Sequence, residues 1–250
     1  AITQVIGDAK YALKGLINRI SDRRKIKGKT SEWSEKIDEF RNEVEPPKMD
    51  SEITGPTAIK AIRSALPSDA IVTTDVGQHQ MWAALHFDVH EPGTFLTSGG
   101  LGTMGWGTPA AIGAKAAVPD RTILNISGDG SFAMTENNLS VAVDEDLPVI
   151  VVVMNNRMLG MVAQWQRLFM NGRYSAVHRN YSVDFTELAK DYGAHGVRAE
   201  TIGELSAEIK QAVKGNYTAV IDVPIDPEEN VYPMIPPGMG LKDILTEDIP

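Results

Sequence analysis

Four short apolar runs limit what this chain can fold into. Ala70 to Thr74, Ile123 to Ile126, Pro148 to Met154 and Ala219 to Val223 are rich in Val and Ile and bounded by turn residues. Runs of that length with little polar alternation predict strands buried on both faces. Segments of helical periodicity separate them, at Thr108–Ala117, Thr135–Val143, Asp184–Tyr192 and Ile202–Lys214. Ahead of the first run, Pro56 opens a helix whose Ile59, Ile62 and Leu66 face inward. The last helix starts on the capping box Thr201-Ile202-Gly203-Glu204 and stops at Gly215. Strands alternating with helices predict an α/β fold, three αβα layers around a mostly parallel sheet.

Residues 1–50 lack this rhythm. Asp8 is placed to cap a helix from Ala9 to Ile20, with Leu13, Leu16, Ile17 and Ile20 at helical spacing. A charged stretch follows from Ser21 to Lys27. Ser31 to Val44 then predicts a second amphipathic helix, with Trp33, Ile37 and Phe40 on one face and Pro46-Pro47 as its stop. The expectation is a linker and the remnant of a preceding domain over 1–50, and one α/β domain with a C-terminal tail over 51–250. The start on Ala1 and an apolar segment, without Met, suggests a piece of something longer.

The 250 residues carry 24 basic and 33 acidic side chains, a net charge of −9, and no cysteine. That removes a disulfide framework, a thiolate metal site and a cysteine nucleophile. The acidic balance argues against nucleic acid as a partner. No apolar run approaches the ~20 residues that cross a bilayer, and the first residues carry no signal-peptide pattern. No membrane partner and a cytoplasmic location are expected.

Sites in open α/β sheets lie beyond the carboxyl ends of the strands. After Ile126-Ser127 comes Gly128-Asp129-Gly130-Ser131, and the next strand ends in Asn155-Asn156. If the two strands are parallel neighbours, Asp129 and Asn156 face each other across a few ångströms. A carboxylate and an amide oxygen are hard ligands suited to Mg²⁺, which fills the rest of its shell with phosphate oxygens and water. The glycines beside Asp129 let backbone N–H groups approach a diphosphate. The pattern predicts a Mg²⁺–diphosphate site. The first strand ends in Asp75-Val76-Gly77-Gln78-His79-Gln80, where Gln78 and His79 can donate to phosphate.

Other patterns carry less. Gly100-Leu101-Gly102-Thr103-Met104-Gly105 satisfies the dinucleotide fingerprint G-x-G-x-x-G, but no acidic residue ends the next strand to bind a ribose. His86 and His90 are four apart, without a third zinc ligand nearby. Ser131 does not stand in a G-x-S-x-G elbow. Met161 and Trp165 share a face if 157–166 is helical; they are either core packing or an apolar wall over a ring-shaped ligand.

Together these residues resemble a known family. Gly128-Asp129-Gly130, 24 further residues, then Asn155-Asn156 is similar to the signature of thiamine diphosphate enzymes. More narrowly, Gly77 to Ala84, Thr97 to Gly105, Gly160 to Gln166 and Tyr232 to Gly238 resemble acetolactate synthase catalytic subunits, over about residues 51–245. Residues 1–20 resemble the last strand and helix of that family's middle domain.

The resemblance implies that Asp129, the side chain of Asn156 and the main-chain carbonyl of Met158 bind Mg²⁺. It implies that Val76, Gly77, Gln78, His79, Gly130, Ser131, Gly160 and Met161 contact thiamine diphosphate, mainly its diphosphate. Gly102 and Met104 would lie by the aminopyrimidine. Met104 would prop the bent cofactor, so that its exocyclic amine reaches the thiazolium carbon it must deprotonate. Met161, Val162 and Trp165 would shape the pocket for the second 2-oxoacid. Arg157-Met158-Leu159 departs from members with acidic or Gln residues there, which leaves Met158 a role only through its backbone.

The implied reaction joins pyruvate, with loss of CO₂, to pyruvate or 2-oxobutyrate. The family's general acid/base glutamate and its FAD-binding middle domain belong to segments not in this chain, so no catalytic residue is assigned within it and the chain alone is expected to be inactive. The implied partners are its own N-terminal domain, a second protomer in a dimer or tetramer, and a regulatory small subunit. Two alternatives stand beside this reading: a separately encoded diphosphate-binding subunit of another 2-oxoacid decarboxylase or carboligase, and a nucleotide-binding module without catalysis.

Overall fold

The computed structural model describes residues 4–21, 31–43, 53–179 and 183–246. Its contacts divide the chain into two units, Ala1–Pro47 and Lys48–Pro250. In the first unit α1 (Ala9–Ser21) is capped by Asp8, whose Oδ1 accepts from the N–H of Lys10 at 3.0 Å and Tyr11 at 3.3 Å. Leu13, Leu16, Ile17 and Ile20 form its exposed apolar stripe. Residues 4–6 form no strand. Helix α2 (Ser31–Glu43) carries Trp33, Ile37 and Phe40, also exposed. The charged stretch 22–27 and Pro46-Pro47 lie outside the described residues.

The second unit opens with α3 (Gly55–Ala65), started by the reciprocal caps of Thr54 and Thr57 with Pro56 in the first turn. There follow β1 (Ile71–Thr74), α4 (Gln78–His86), β2 (Phe95–Thr97), α5 (Gly107–Ala117), β3 (Ile123–Gly128), the single turn α6 (Asp129–Phe132) and α7 (Leu139–Asp144). The chain continues through β4 (Ile150–Asn155), α8 (Gly160–Phe169), α9 (Phe185–Asp191), β5 (His195–Arg198), α10 (Ile202–Gly215) and β6 (Ala219–Pro224). The six strands lie in the order β2-β1-β3-β4-β6-β5, and every pairing is parallel.

Alternate side chains of the central strands feed two cores. Val72, Leu124, Val152 and Ile221 pack under α3, α4 and α10 with Ile59, Ile62, Trp82, Leu205 and Ile209. Ile71, Ile123, Val151, Val153 and Val220 pack on the opposite face with Ile112, Phe132, Leu139 and Phe185. This is the three-layer αβα arrangement, with a sheet wholly parallel.

Two strands escape the apolar-run criterion. β2 is a three-residue edge strand, and β5 reads His-Gly-Val-Arg. β5 is held by α9: a Cβ on Gly196 would stand 1.9 Å from the Thr186 carbonyl oxygen, so the backbones touch directly. The expected helix Thr135–Val143 is a 3₁₀ turn, Glu136–Asn138, running into α7. Helix α10 continues through Gly215, and Asn216 takes the left-handed C-terminal position with φ 49°.

From β1 the chain moves to β2 on one side, then returns to β3 on the other. The reversal leaves a crevice beyond the carboxyl ends of β1 and β3, where open α/β sheets bind ligands.

Candidate functional site

That crevice is a cleft of about 590 Å³. In the β3–β4 register Gly128 is level with Met154, so Asp129 and Asn156 emerge from neighbouring strands onto the same edge. Both line the cleft, together with Val76, Gly77, Gln78, His79, Met104, Gly130, Ser131, Met158, Gly160, Met161 and Val162. Gly102 does not line it, although a Cβ there would lie 3.8 Å from the side chain of Val76. Trp165 is also off the cleft wall, 41% exposed on α8 and edge-to-face with Phe169.

At three glycines of the cleft a side chain packs directly on the backbone. A Cβ on Gly128 would be 2.8 Å from His79 Nδ1, and one on Gly160 would be 2.0 Å from Gln78 Oε1. Gly77, at φ 158° and N-terminal to α4, would drive a Cβ to 2.7 Å from the His79 ring. These glycines form the floor of the cleft, where the side chains of His79 and Gln78 pack directly on the main chain.

The titratable groups of the floor are buried. Burial pushes the Asp129 carboxyl up to about 6, against the opposing pull of Arg179. Arg179 Nη1 stands 3.4 Å from Asp129 Oδ2, with both side chains buried. Arg179 arrives on a clip stitched to the loop after β4. Its N–H donates to the Arg157 carbonyl at 3.0 Å, the Leu159 N–H donates to Val177 at 2.8 Å, and Met158 pairs with His178. Burial drives the His79 imidazole down to about 3, so it is neutral, and its Nε2 has no partner among the described residues. The Ser131 hydroxyl donates to the Val76 carbonyl at 2.8 Å, which ties the turn after β3 to the turn after β1.

Asp75 is an organiser that the sequence motifs did not single out. It is fully buried, and its carboxylate accepts from the N–H of Val76 at 2.8 Å, Gly105 at 2.9 Å and Gly107 at 3.0 Å. The glycine-rich segment is thereby folded around a side chain of the protein itself. Gly105 sits at φ 83°, open to glycine and strained for other residues. In a dinucleotide fold the N–H groups at this turn would hold the pyrophosphate; here a carboxylate already holds them. Thr73 and Asn125 anchor the same corner, through Thr73 Oγ1 to the Gly107 carbonyl at 3.1 Å and Asn125 Nδ2 to Thr108 Oγ1 at 3.1 Å.

The donor set fits a Mg²⁺–diphosphate. No group of three His, Cys, Asp or Glu side chains able to hold a metal occurs among the described residues, His86 and His90 included. Asp129 and Asn156 supply two hard oxygens, the small protein contribution that Mg²⁺ takes when phosphate and water complete its shell. His79, whose Nε2 is buried without a partner among the described residues, lines the same cleft as the glycine floor.

Comparison with known proteins agrees with this chemistry. The model of the thiamine pyrophosphate enzyme C-terminal TPP binding domain matches residues 75–223. A probable acetolactate synthase large subunit of Methanocaldococcus jannaschii is 40% identical over 96% of this chain and 42% of its own length. The mitochondrial acetolactate synthase catalytic subunit of Saccharomyces cerevisiae is 40% identical over 98% of this chain and 36% of its own. The isozyme 2 large subunit of Escherichia coli is 42% identical over 77% of this chain and 35% of its own. The chain thus spans well under half the length of these curated relatives.

Proposed function

The chain belongs to the thiamine pyrophosphate enzymes, of which it carries the C-terminal cofactor-binding domain, and we propose that it is the diphosphate-holding part of an acetolactate synthase catalytic subunit. The observation that carries the proposal is the cleft at the switch point, where Asp129, Asn156, His79 and the glycine floor converge. Asp129, Asn156 Oδ1 and the Met158 carbonyl would hold Mg²⁺. Val76, Gly77, His79, Gly130, Ser131, Gly160 and Met161 would receive the diphosphate; Gln78 would join them only through its backbone, because both N–H groups of its side chain are spent on Gln164 and the Glu229 carbonyl. Met104 would support the cofactor's bend, with Gly102 beside it.

When bound, thiamine diphosphate supplies the carbon nucleophile that decarboxylates a 2-oxoacid and passes the two-carbon unit on. This chain's residues bind and orient. Asp129 supplies the one full negative charge among the proposed protein ligands of the cation. Met104, Met154, Met158, Met161 and Ile225 give the cleft apolar walls that exclude water from a reacting centre. Pyruvate and 2-oxobutyrate are the proposed substrates, with Met161 and Val162 on the second-oxoacid side. Trp165 would join them only against another part of the assembly. The general acid/base glutamate and the FAD site are assigned to the remainder of the enzyme, and residues 1–50 to a linker and the end of its middle domain. A second protomer and a small regulatory subunit, in a cytoplasmic enzyme, complete the proposal. No helix among the described residues is long and apolar enough to cross a membrane.

Calorimetric titration of thiamine diphosphate into the chain tests this. Saturable binding that weakens at least about tenfold when Mg²⁺ is chelated is expected. Binding that ignores Mg²⁺, or none at any concentration, overturns it. Pyruvate with cofactor and Mg²⁺ should yield no acetolactate from the chain alone.

A further inference from the structure

One buried side chain never reaches the cleft and yet decides how the cleft is set. Gln164, on α8, is 1% exposed and is not among the cleft-lining residues. The two backbone groups of a single residue, Val231, orient its amide. The Val231 N–H donates to Gln164 Oε1 at 2.9 Å, and Gln164 Nε2 donates to the Val231 carbonyl at 3.2 Å and to Met234 Sδ at 3.2 Å. A peptide N–H only donates and a carbonyl only accepts, so Gln164 has one allowed orientation.

The orientation propagates. Gln78 Nε2 donates to Gln164 Oε1 at 2.9 Å and to the Glu229 carbonyl at 2.8 Å, two groups that here accept. Gln78 Oε1 is thereby committed to the other side, where it accepts from Asn156 Nδ2 at 3.1 Å. Asn156 Oδ1 takes the Met158 N–H at 3.0 Å and keeps a second lone pair. Gly160 encloses the middle link: a Cβ there would stand 2.5 Å from Asn156 Nδ2 as well as on Gln78 Oε1. A flip at any amide would set donor against donor or acceptor against acceptor along the whole chain.

We propose that Gln164 is a positioning residue for the metal site, acting through Gln78 to keep Asn156 Oδ1, and not Nδ2, available to the cation. This rests on the reading of Asn156 as a Mg²⁺ ligand. Groups behind a metal ligand that fix its orientation typically govern about 10–100-fold in metal affinity. Gln78 belongs to the cleft by contact; Gln164 acts from outside it.

The test uses the full chain, thiamine diphosphate and a Mg²⁺ titration followed by calorimetry. Gln164→Met keeps the length and apolar volume but offers Gln78 no oxygen. It should raise the Mg²⁺ concentration for half-saturation by about tenfold. Gln164→Glu keeps an oxygen for both the Val231 N–H and Gln78 Nε2 and, as the protonated acid that burial favours, an O–H for the Val231 carbonyl; it should stay within about threefold of the parent, whatever either change does to thermal stability. Equal Mg²⁺ requirements in the parent and Gln164→Met overturn the inference, as do equal losses in both variants. Asp129→Asn is the control. If it abolishes the Mg²⁺ dependence while Gln164→Met leaves it alone, the relay fails and the metal site stands. If Asp129→Asn changes nothing, the metal site itself is wrong. Should a variant fail to fold, ¹⁵N-labelled parent protein decides: the Asn156 side-chain NH₂ should exchange slowly with solvent before and after Mg²⁺, and free exchange overturns the relay.

Discussion

Arg179 Nη1 lies 3.4 Å from Asp129 Oδ2, a buried ion pair at the point where the proposed metal would bind. Asp129 therefore has a structural counterion as well as a chemical role. Removing the carboxylate leaves a buried guanidinium without it, at a cost of about 3 kcal/mol, but also removes the desolvation that raises the carboxyl to about 6. Asp129→Asn should abolish Mg²⁺-dependent cofactor binding and, with the two effects opposed, lower stability by less than about 3 kcal/mol in urea titrations. Asp129→Asn with Arg179→Met should be more stable than Asp129→Asn alone and equally without Mg²⁺ dependence. A double variant no more stable than the single one would show that Arg179 does not need the carboxylate.

Gly160 gives a purely steric prediction. A methyl there would overlap Gln78 Oε1 at 2.0 Å and crowd the Asn156 amide at 2.5 Å. Both are buried, and neither can swing into solvent. Gly160→Ala should weaken thiamine diphosphate binding at least about tenfold and cost about 1–3 kcal/mol, the range for overpacking. By contrast Trp165→Leu, at an exposed position off the cleft, should leave cofactor affinity within about twofold. Equal effects of the two changes would contradict the cleft's boundaries.

His79 sets a pH dependence. Its imidazole titrates at about 3 when folded and near 6.5 when unfolded. Between those values the unfolded chain binds a proton that the folded chain does not. Stability from this group is therefore complete above about pH 6.5 and falls on acidification, by up to about 1.4 kcal/mol per pH unit. Asp129 and Glu229, raised to about 6 and about 7, work the other way: the folded state keeps protons there that the unfolded state releases. The parent's net slope is thus a difference of opposing contributions, and the variant isolates one. His79→Gln should remove about 1 kcal/mol per pH unit of acid sensitivity between about pH 6 and 5, read from urea midpoints. Identical slopes would mean that His79 is protonated in the folded state.

The central strands were legible because burial on both faces leaves a run of Val and Ile, as in Ile150–Met154. β5 was not, because an edge strand packed by Gly196 against the α9 backbone needs no such run. Asp129 and Asn156 were legible because each directly follows a strand end, where topology converts sequence position into spatial position. Asp75 stands at the end of β1 and had the same signal, but it bonds inward to Gly105 and Gly107 across a loop whose path no local pattern fixes. Arg179 left no trace in the motifs, and Gln164 stood inside the segment Gly160 to Gln166 with nothing in the sequence to give it a role. One reaches Asp129 through a clip on residues 157–159, and the other acts across the contact of α8 with Val231. Such links join segments distant in the chain, and only the folded path brings them together.

Asp75 yields the most local of the predictions. Three backbone N–H groups converge on one fully buried carboxylate, and two of them belong to the segment that carries Met104 into the cleft. Asp75→Ala would strand those donors away from water, where hydrogen bonds to a charged group are worth about 1.5–3 kcal/mol each. Part of that loss is recovered as the segment opens to solvent, so the expected destabilisation is about 3 kcal/mol. The opening has its own signature. Amide exchange at Gly105 and Gly107 should accelerate far more than at Val151 or Val152 in the sheet centre. Cofactor affinity should fall with it, because Met104 loses its fixed position. Uniform acceleration across sheet and loop would mean that Asp75 supports the domain as a whole; unchanged exchange at Gly105 and Gly107 would mean that the carboxylate does not hold the segment.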